Sequence, residues 1–362
     1  MASALESSGS QRSALLERDS SFRIISAESS AKLSSDSGSC RICNSVNVRR
    51  VGDVEYYFGF GHAIYDCLEC RSRFTKHDEW IYEALHREAG SCYDAYRSFL
   101  EQCSRAFDQG NREDLRSLLC KTKKYRFIIE RVESQPKSAR LLEMGCSRGY
   151  LTSYFILAGY EITGADVSET AIASATAAFG DHFVIAGDAA IEESAPYDLV
   201  YHVGTIGCVA DPLGLTHRLL SLLRPGGKLL FNAPNLDSCY LEKQLWIDSA
   251  PPPDLVSIFA PGFWVERFLD EAHVEIQIEN CEPQKALEIG LRKLFRRGWQ
   301  PPYPIPMDGA SELYLTDNRI TAYPMWRVFE KSVLKLGRET GLSRISPPQP
   351  SEFGVFVTMT RR

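Results

Sequence analysis

The chain has 362 residues, 44% of them hydrophobic and 24% charged, which suits a soluble globular protein with more than one structural unit. Its formal net charge of -6 weighs against a surface built to grip nucleic acid, although Lys121–Lys124 and Arg292–Arg297 are local basic patches. No apolar run approaches the ~20 residues that cross a bilayer, so no membrane insertion is expected.

Residues 1–38 are Ser-rich and lack the apolar centre of a signal peptide; they read as a disordered tail. Eleven cysteines, an odd number without an export signal, point to a reducing, cytoplasmic setting. Four of them form two pairs within residues 39–76, Cys40-Arg41-Ile42-Cys43 and Cys67-Leu68-Glu69-Cys70. Each pair can turn two sulfurs onto one ion, and strand-like runs lie between them. The layout is that of a zinc ribbon in which Cys40, Cys43, Cys67 and Cys70 hold a structural Zn²⁺, with His62 as a spare ligand. The competing readings are unlinked thiols or a redox pair. Neither knuckle follows a strand and opens a helix, as a thioredoxin-type site would.

Residues 77–137 carry apolar residues at helical spacing, broken at Gly110-Asn111, and predict two or three connecting helices. From Ala139 the pattern alternates. Strands are expected at 140–144, 161–165, 182–186, 199–203 and 228–232, and helices at 150–158, 169–179 and 213–223. Such alternation predicts a parallel sheet covered on both faces. The turn Arg224-Pro225-Gly226-Gly227 separates the last helix from the next strand. A helix over 262–272 and a strand over 274–279 follow. Residues 283–350 break the alternation and read as an insertion or substrate cap with one helix at 326–336. The run 353–359 is a strand, expected to close the sheet as an antiparallel neighbour.

Leu141-Leu142-Glu143-Met144-Gly145-Cys146-Ser147-Arg148-Gly149-Tyr150 reads as a strand, an acid and a tight glycine loop opening a helix. Asp166 ends the next strand, where an acid suits the hydroxyls of a ribose. The loop therefore predicts a nucleoside-bearing cofactor. A nicotinamide fingerprint would place glycines at the first, third and sixth positions, which here hold Gly145, Ser147 and Tyr150.

With these motifs the chain resembles the class I S-adenosylmethionine-dependent methyltransferases, over residues 138–282 with the last strand (351–362) added. The first motif is Leu141–Gly149, with Ser147 where glycine is commoner. Gly164-Ala165-Asp166-Val167-Ser168 matches the second. Gly187-Asp188-Ala189 and Tyr197-Asp198-Leu199-Val200 match the next two, and Leu222–Leu229 the turn before the fifth strand. The resemblance implies a doubly wound, mostly parallel seven-stranded α/β sheet with an antiparallel last strand. It implies that Gly145, Cys146 and Gly149 meet the methionine part and ribose of S-adenosylmethionine, with Glu143 at the amino-acid end. Asp166 would take the ribose, and Asp188 and Ala189 the adenine. Asp198 is read as a structural acid.

The ribbon before the core, with Pro251–Leu255 and Phe259–Phe263, is similar to bacterial methyltransferases of sugars and secondary metabolites. Those usually carry His where Asp254 stands. Quinone-type relatives have an acid–His pair after the fourth strand, where this chain has Gly207-Cys208. The expected reaction is methyl transfer to a small-molecule or saccharide acceptor by in-line displacement. His202, with Asn235 and Tyr240, is a candidate base near strand ends; the competing reading of His202 is packing against a helix. Two alternatives remain at this point: an RNA methyltransferase gripping RNA through its ribbon, and a non-catalytic cofactor-binding protein.

Overall fold

The computed structural model describes residues 38–56, 60–75, 94–238, 241, 245–247, 250, 252, 255–278, 332–333, 335–336, 339–340 and 354–362. The tail, most of the 283–350 insertion and the first part of the helical connector lie outside the described residues. So does nearly all of the helix expected over 326–336.

The first described elements are β1 (Val48–Tyr56), β2 (Phe60–Cys67) and β3 (Arg73–Thr75). Three helices follow: α1 (Asp94–Asp108), α2 (Arg112–Leu119) and α3 (Lys123–Glu133). Gly110 at φ 62° breaks the helical run as expected, and the Asn111 side chain caps α2 by accepting from the Asp114 N–H. The alternating part comprises β4 (Arg140–Met144), α4 (Tyr150–Leu157), β5 (Glu161–Asp166), α5 (Glu169–Phe179), β6 (Phe183–Ile185) and α6 (Ala189–Glu193). It continues through β7 (Tyr197–His202), α7 (Pro212–Ser221) and β8 (Leu223–Pro234). The last elements are β9 (Ser257–Ile258), α8 (Phe263–Phe268), β10 (Ala272–Ile278) and β11 (Gly354–Arg361). The expected helix at 262–272 is shorter because the chain has already entered β10 at Ala272. Among the described residues no helix is long and apolar enough to cross a membrane.

Seven strands form the main sheet in the order β10-β11-β8-β7-β4-β5-β6. β4, β5, β6, β7 and β8 run parallel, and β11 lies antiparallel between β8 and β10. Both faces of the central strands are covered, which is why Leu141, Leu142, Leu199, Val200 and Tyr201 are all buried. The side chains alternate between two clusters. Leu141, Leu199 and Tyr201 pack with α1 to α4, while Leu142, Met144 and Val200 pack with α7 and α8. The Arg224–Gly227 turn is a bulge: the partner of Tyr197 is Leu223 but that of Leu199 is Lys228.

The cysteine-bearing segment is joined to this sheet. β1, β2, β3 and β9 form a second, antiparallel sheet, and β9 comes from the chain after β8. Cys40, Ile42, Cys67 and Phe74 share one buried cluster with Leu142, Phe231 and Trp264. The ribbon and the main sheet thus have a common core.

Candidate functional site

The strand order reverses on either side of β4, with β5 and β6 to one side and β7 and β8 to the other. In such sheets a crevice opens at the carboxyl ends of the strands where the order reverses. In this chain that edge carries the loops after β4, β5 and β7.

Three residues of the loop after β4 have positive φ: Gly145 at 78°, Ser147 at 50° and Gly149 at 75°. A Cβ on Gly145 would lie 2.3 Å from the Thr205 Oγ1 of the loop after β7. One on Gly149 would lie 2.5 Å from the Phe183 ring. Glycine is required at both places by conformation and by space. The N–H groups of Gly145 and Cys146 both donate to the Ala165 carbonyl, at 2.7 and 3.0 Å, so neither is aimed at a ligand. Gly145 and Gly149 leave the backbone of this loop bare, and Cys146 itself is buried.

Asp166 ends β5 and holds this loop. Its Oδ2 accepts from the Ser147 N–H at 2.7 Å and its Oδ1 from the Ser168 N–H at 3.0 Å. Burial nevertheless pushes its pKa up, against these donors. A carboxylate has about four acceptor sites, so donors from a ligand can be added to these. Two neighbouring hydroxyls of a ribose would supply them.

Glu143 is buried beneath the loop and accepts from Thr152 Oγ1 and from the Tyr201 hydroxyl, the latter at 3.1 Å. Burial pushes its pKa up to about 8. It is an interior acid rather than an exposed anion. Asp188 is exposed and caps α6, its Oδ1 accepting from the Ala190 N–H at 2.9 Å; Ala189 beside it is exposed. Asp198 is structural, bonded to the Arg140 N–H and to the Arg224 guanidinium.

His202 does not reach the crevice as a base. It is fully buried, its ring stacks on Phe231 at 4.7 Å between centroids, and neither ring nitrogen has a hydrogen-bond partner. Burial lowers its pKa to about 3. The reason lies in its strand: the end of β7 is covered on both faces, so its last side chain points into the core. Asn235 is buried, and Tyr240 lies outside the described residues.

The loop after β7 is held from outside by the ribbon, a contact that sequence reasoning missed. Arg41, inside the first cysteine knuckle, donates to the carbonyls of Thr75 at 3.1 Å, Val209 at 3.0 Å and Ala210 at 3.3 Å. The Gly207 carbonyl accepts from the N–H groups of Val256 and Ser257, at 2.9 and 3.0 Å. Ser257 is also the residue that pairs with Phe74 of β3.

Cys40, Cys43, Cys67 and Cys70 converge, with all four sulfurs within 4.8 Å of one another. Sγ of Cys40 is 3.8 Å from that of Cys70, and Sγ of Cys43 is 3.6 Å from that of Cys67. A tetrahedral ion with ~2.3 Å bonds to sulfur needs sulfurs about 3.8 Å apart. The Ile42 and Cys70 N–H groups donate to Cys40 and Cys67 sulfurs, as knuckle backbones do when they support thiolates. The four residues fit zinc.

This sheet defines an α/β domain of the doubly wound class. Residues 112–272 match the family model described as a methyltransferase domain. The match begins at α2, so α2 and α3 fall inside it. Among curated proteins the chain is similar to a ubiquinone biosynthesis O-methyltransferase of Aromatoleum aromaticum. The two are 29% identical over 103 residues, which is 26% of this chain and 44% of the relative. It is also similar to a malonyl-[acyl-carrier protein] O-methyltransferase of Enterobacter lignolyticus. That pair is 34% identical over 117 residues, 31% of this chain and 47% of the relative. The chain thus spans about half the length of the curated relatives it matches. Among solved structures, an S-adenosylmethionine-dependent methyltransferase from Archaeoglobus fulgidus is 18% identical with a TM-score of 0.39. The comparison covers 66% of this chain and 92% of that one.

Proposed function

We propose that the protein transfers a methyl group from S-adenosylmethionine to a small-molecule or saccharide acceptor. The observation that carries this reading is Asp166, a partly buried carboxylate anchored by Ser147 and Ser168 at the lip of the crevice. Asp166 would hold the ribose, the loop Gly145–Gly149 would lie along the methionine part and ribose, and Asp188 with Ala189 would flank the adenine.

The cofactor supplies a methyl group already activated by a positive sulfur. The protein's share of the work is to hold the acceptor close and in line and to exclude water. The loop after β7 faces the glycine loop through Thr205 and is the natural wall for the acceptor. His202 is uncharged at neutral pH and is enclosed, so we assign it a packing role. We further read the four cysteines as the ligands of a structural zinc whose fold carries Arg41 to the loop after β7.

Calorimetric titration with S-adenosylhomocysteine tests the cofactor site, and labelled methyl transfer into metabolite extracts tests the reaction. Binding followed by incorporation of label is expected. A protein that binds no S-adenosylhomocysteine would overturn the reading.

A further inference from the structure

Lys124 sits in the first turn of α3, which packs beside β8. Its ammonium reaches the loop after β7: a Cβ on Gly204 would lie 3.2 Å from Lys124 Nζ. Gly204 is exposed, has φ of 77° and is held by its N–H donating to the Asn232 side chain at 2.9 Å. The next residue, Thr205, is the one that abuts Gly145. Lys124 and the cofactor loop therefore stand on either side of one dipeptide at the carboxyl end of β7.

The charge of Lys124 is not met. Among the described residues no carboxylate lies within ion-pair distance of it, and its recorded contact is the neighbouring Tyr125 ring, 5.9 Å away. Burial pushes its pKa down, and only the nearby Cys208 thiol opposes that shift. The first turn of α3 carries no acid either, so the helix dipole adds to the cost of a cation there. Lys335, by contrast, is exposed and lies 3.8 Å from Glu339. Enclosing an ammonium without a counter-charge is unfavourable unless a ligand supplies one.

We propose that Lys124 is the recognition residue for an acidic acceptor, whose carboxylate or phosphate group pairs with its ammonium beside Gly204 while the methylated atom faces the cofactor loop. Lys124 binds and orients; it is the positive pole of the acceptor half of the crevice. The proposal rests on the methyltransferase reading above and narrows its acceptor to anionic compounds.

The test uses the full-length protein saturated with S-adenosylhomocysteine, titrated separately with malonate and with inorganic phosphate, and the variants Lys124→Gln and Lys124→Arg. Malonate binding alone identifies a carboxylate acceptor, and phosphate binding alone a phosphorylated one. Lys124→Gln is expected to weaken the bound anion by about tenfold or more, the loss of one charge-assisted contact, and Lys124→Arg to keep most of the affinity. Both variants should bind S-adenosylhomocysteine as the parent does, which also shows that they fold. Lys124 should resist trace acetylation when the anion is present. Equal anion binding by parent and Lys124→Gln, or no binding of either anion to the parent, would overturn the proposal. Failure of S-adenosylhomocysteine to bind would instead sink the methyltransferase reading.

Discussion

The Arg41 guanidinium donates to the Val209 carbonyl at 3.0 Å, so a residue inside a cysteine knuckle holds the loop that follows β7. Two further carbonyls, those of Ala210 and Thr75, share the same side chain. Hydrogen bonds from a charged group are worth about 1.5–3 kcal/mol each when a buried partner would otherwise be left unmade. Arg41→Met, which keeps the stem, should lower stability by roughly 2 kcal/mol in urea titrations. Amide exchange should speed up at 207–211 while S-adenosylhomocysteine affinity stays near the parent value. Unchanged exchange in that loop would show that the clamp is idle.

Asp166 organises the cofactor loop and offers acceptors to a ligand. Asp166→Ala removes both, and cofactor affinity should fall by about a hundredfold, the equivalent of ~3 kcal/mol. Asp166→Asn keeps one acceptor oxygen and should fall less. Calorimetry on both variants checks the order of effect.

Gly149 combines φ of 75° with the Phe183 ring in the space a Cβ would take. Gly149→Ala should cost about 1–3 kcal/mol of stability from backbone strain alone. If the cost comes partly from the ring, the double variant with Phe183→Leu should recover part of it. Thermal unfolding of the single and double variants measures this.

The buried titratable groups give stability a pH dependence of known sign. His202 and His62 have folded pKa values lowered by burial, to about 3 and about 4, below the ordinary 6.5. Their neutral forms stabilise fully above pH 6.5, and this contribution is lost as pH falls towards the folded values. The slope is about 1.4 kcal/mol per pH unit for each group. Glu143 acts in the opposite direction. Its pKa is raised to about 8 from 4.5, so its contribution is present below 4.5 and is lost as pH rises towards 8. His202→Phe should flatten the acid limb. In cofactor-free protein, Glu143→Gln should flatten the limb between pH 5 and 8. Urea midpoints across pH, for parent and variants, test both signs.

The cysteine geometry predicts about one zinc per chain in gently purified protein, measured by elemental analysis. Cys43→Ser should lower that content. Chelation should loosen the 207–211 loop along with the ribbon, because Arg41 and β3 are carried by the same segment. A loop that keeps its exchange protection after metal removal would separate the two units.

Much of the architecture was legible because it is local and periodic. The strand–glycine–helix signature at 141–150, the alternation that follows and the α5 boundaries at 169–179 all depend on neighbours in the sequence. The quartet of cysteines was legible from spacing alone. What escaped depends on distance. β9 is two residues long, too short for any period to register, and its role comes only from pairing with β3. Arg41 looked like a spacer within a knuckle, yet two of its three partners lie 168 and 169 residues away. The place of His202 stayed open because a strand end at the carboxyl edge can point either to the crevice or to the core. The covering layers decide that, and the sequence does not announce them. Lys124 was visible only as part of a basic patch; its separation from the described carboxylates required the fold.

The insertion of β11 between β8 and β10 has a consequence for how the molecule assembles. Among the described residues β10 pairs with no strand except β11, which is made some 75 residues later. The ribbon sheet likewise lacks its fourth strand until β9 has been made. During synthesis both sheets must wait with an open edge, and closure depends on contacts between segments far apart in sequence, which slows folding. Loss of the final residues 354–362 would leave β10 without a partner and would expose the edge of β8, a ready template for aggregation.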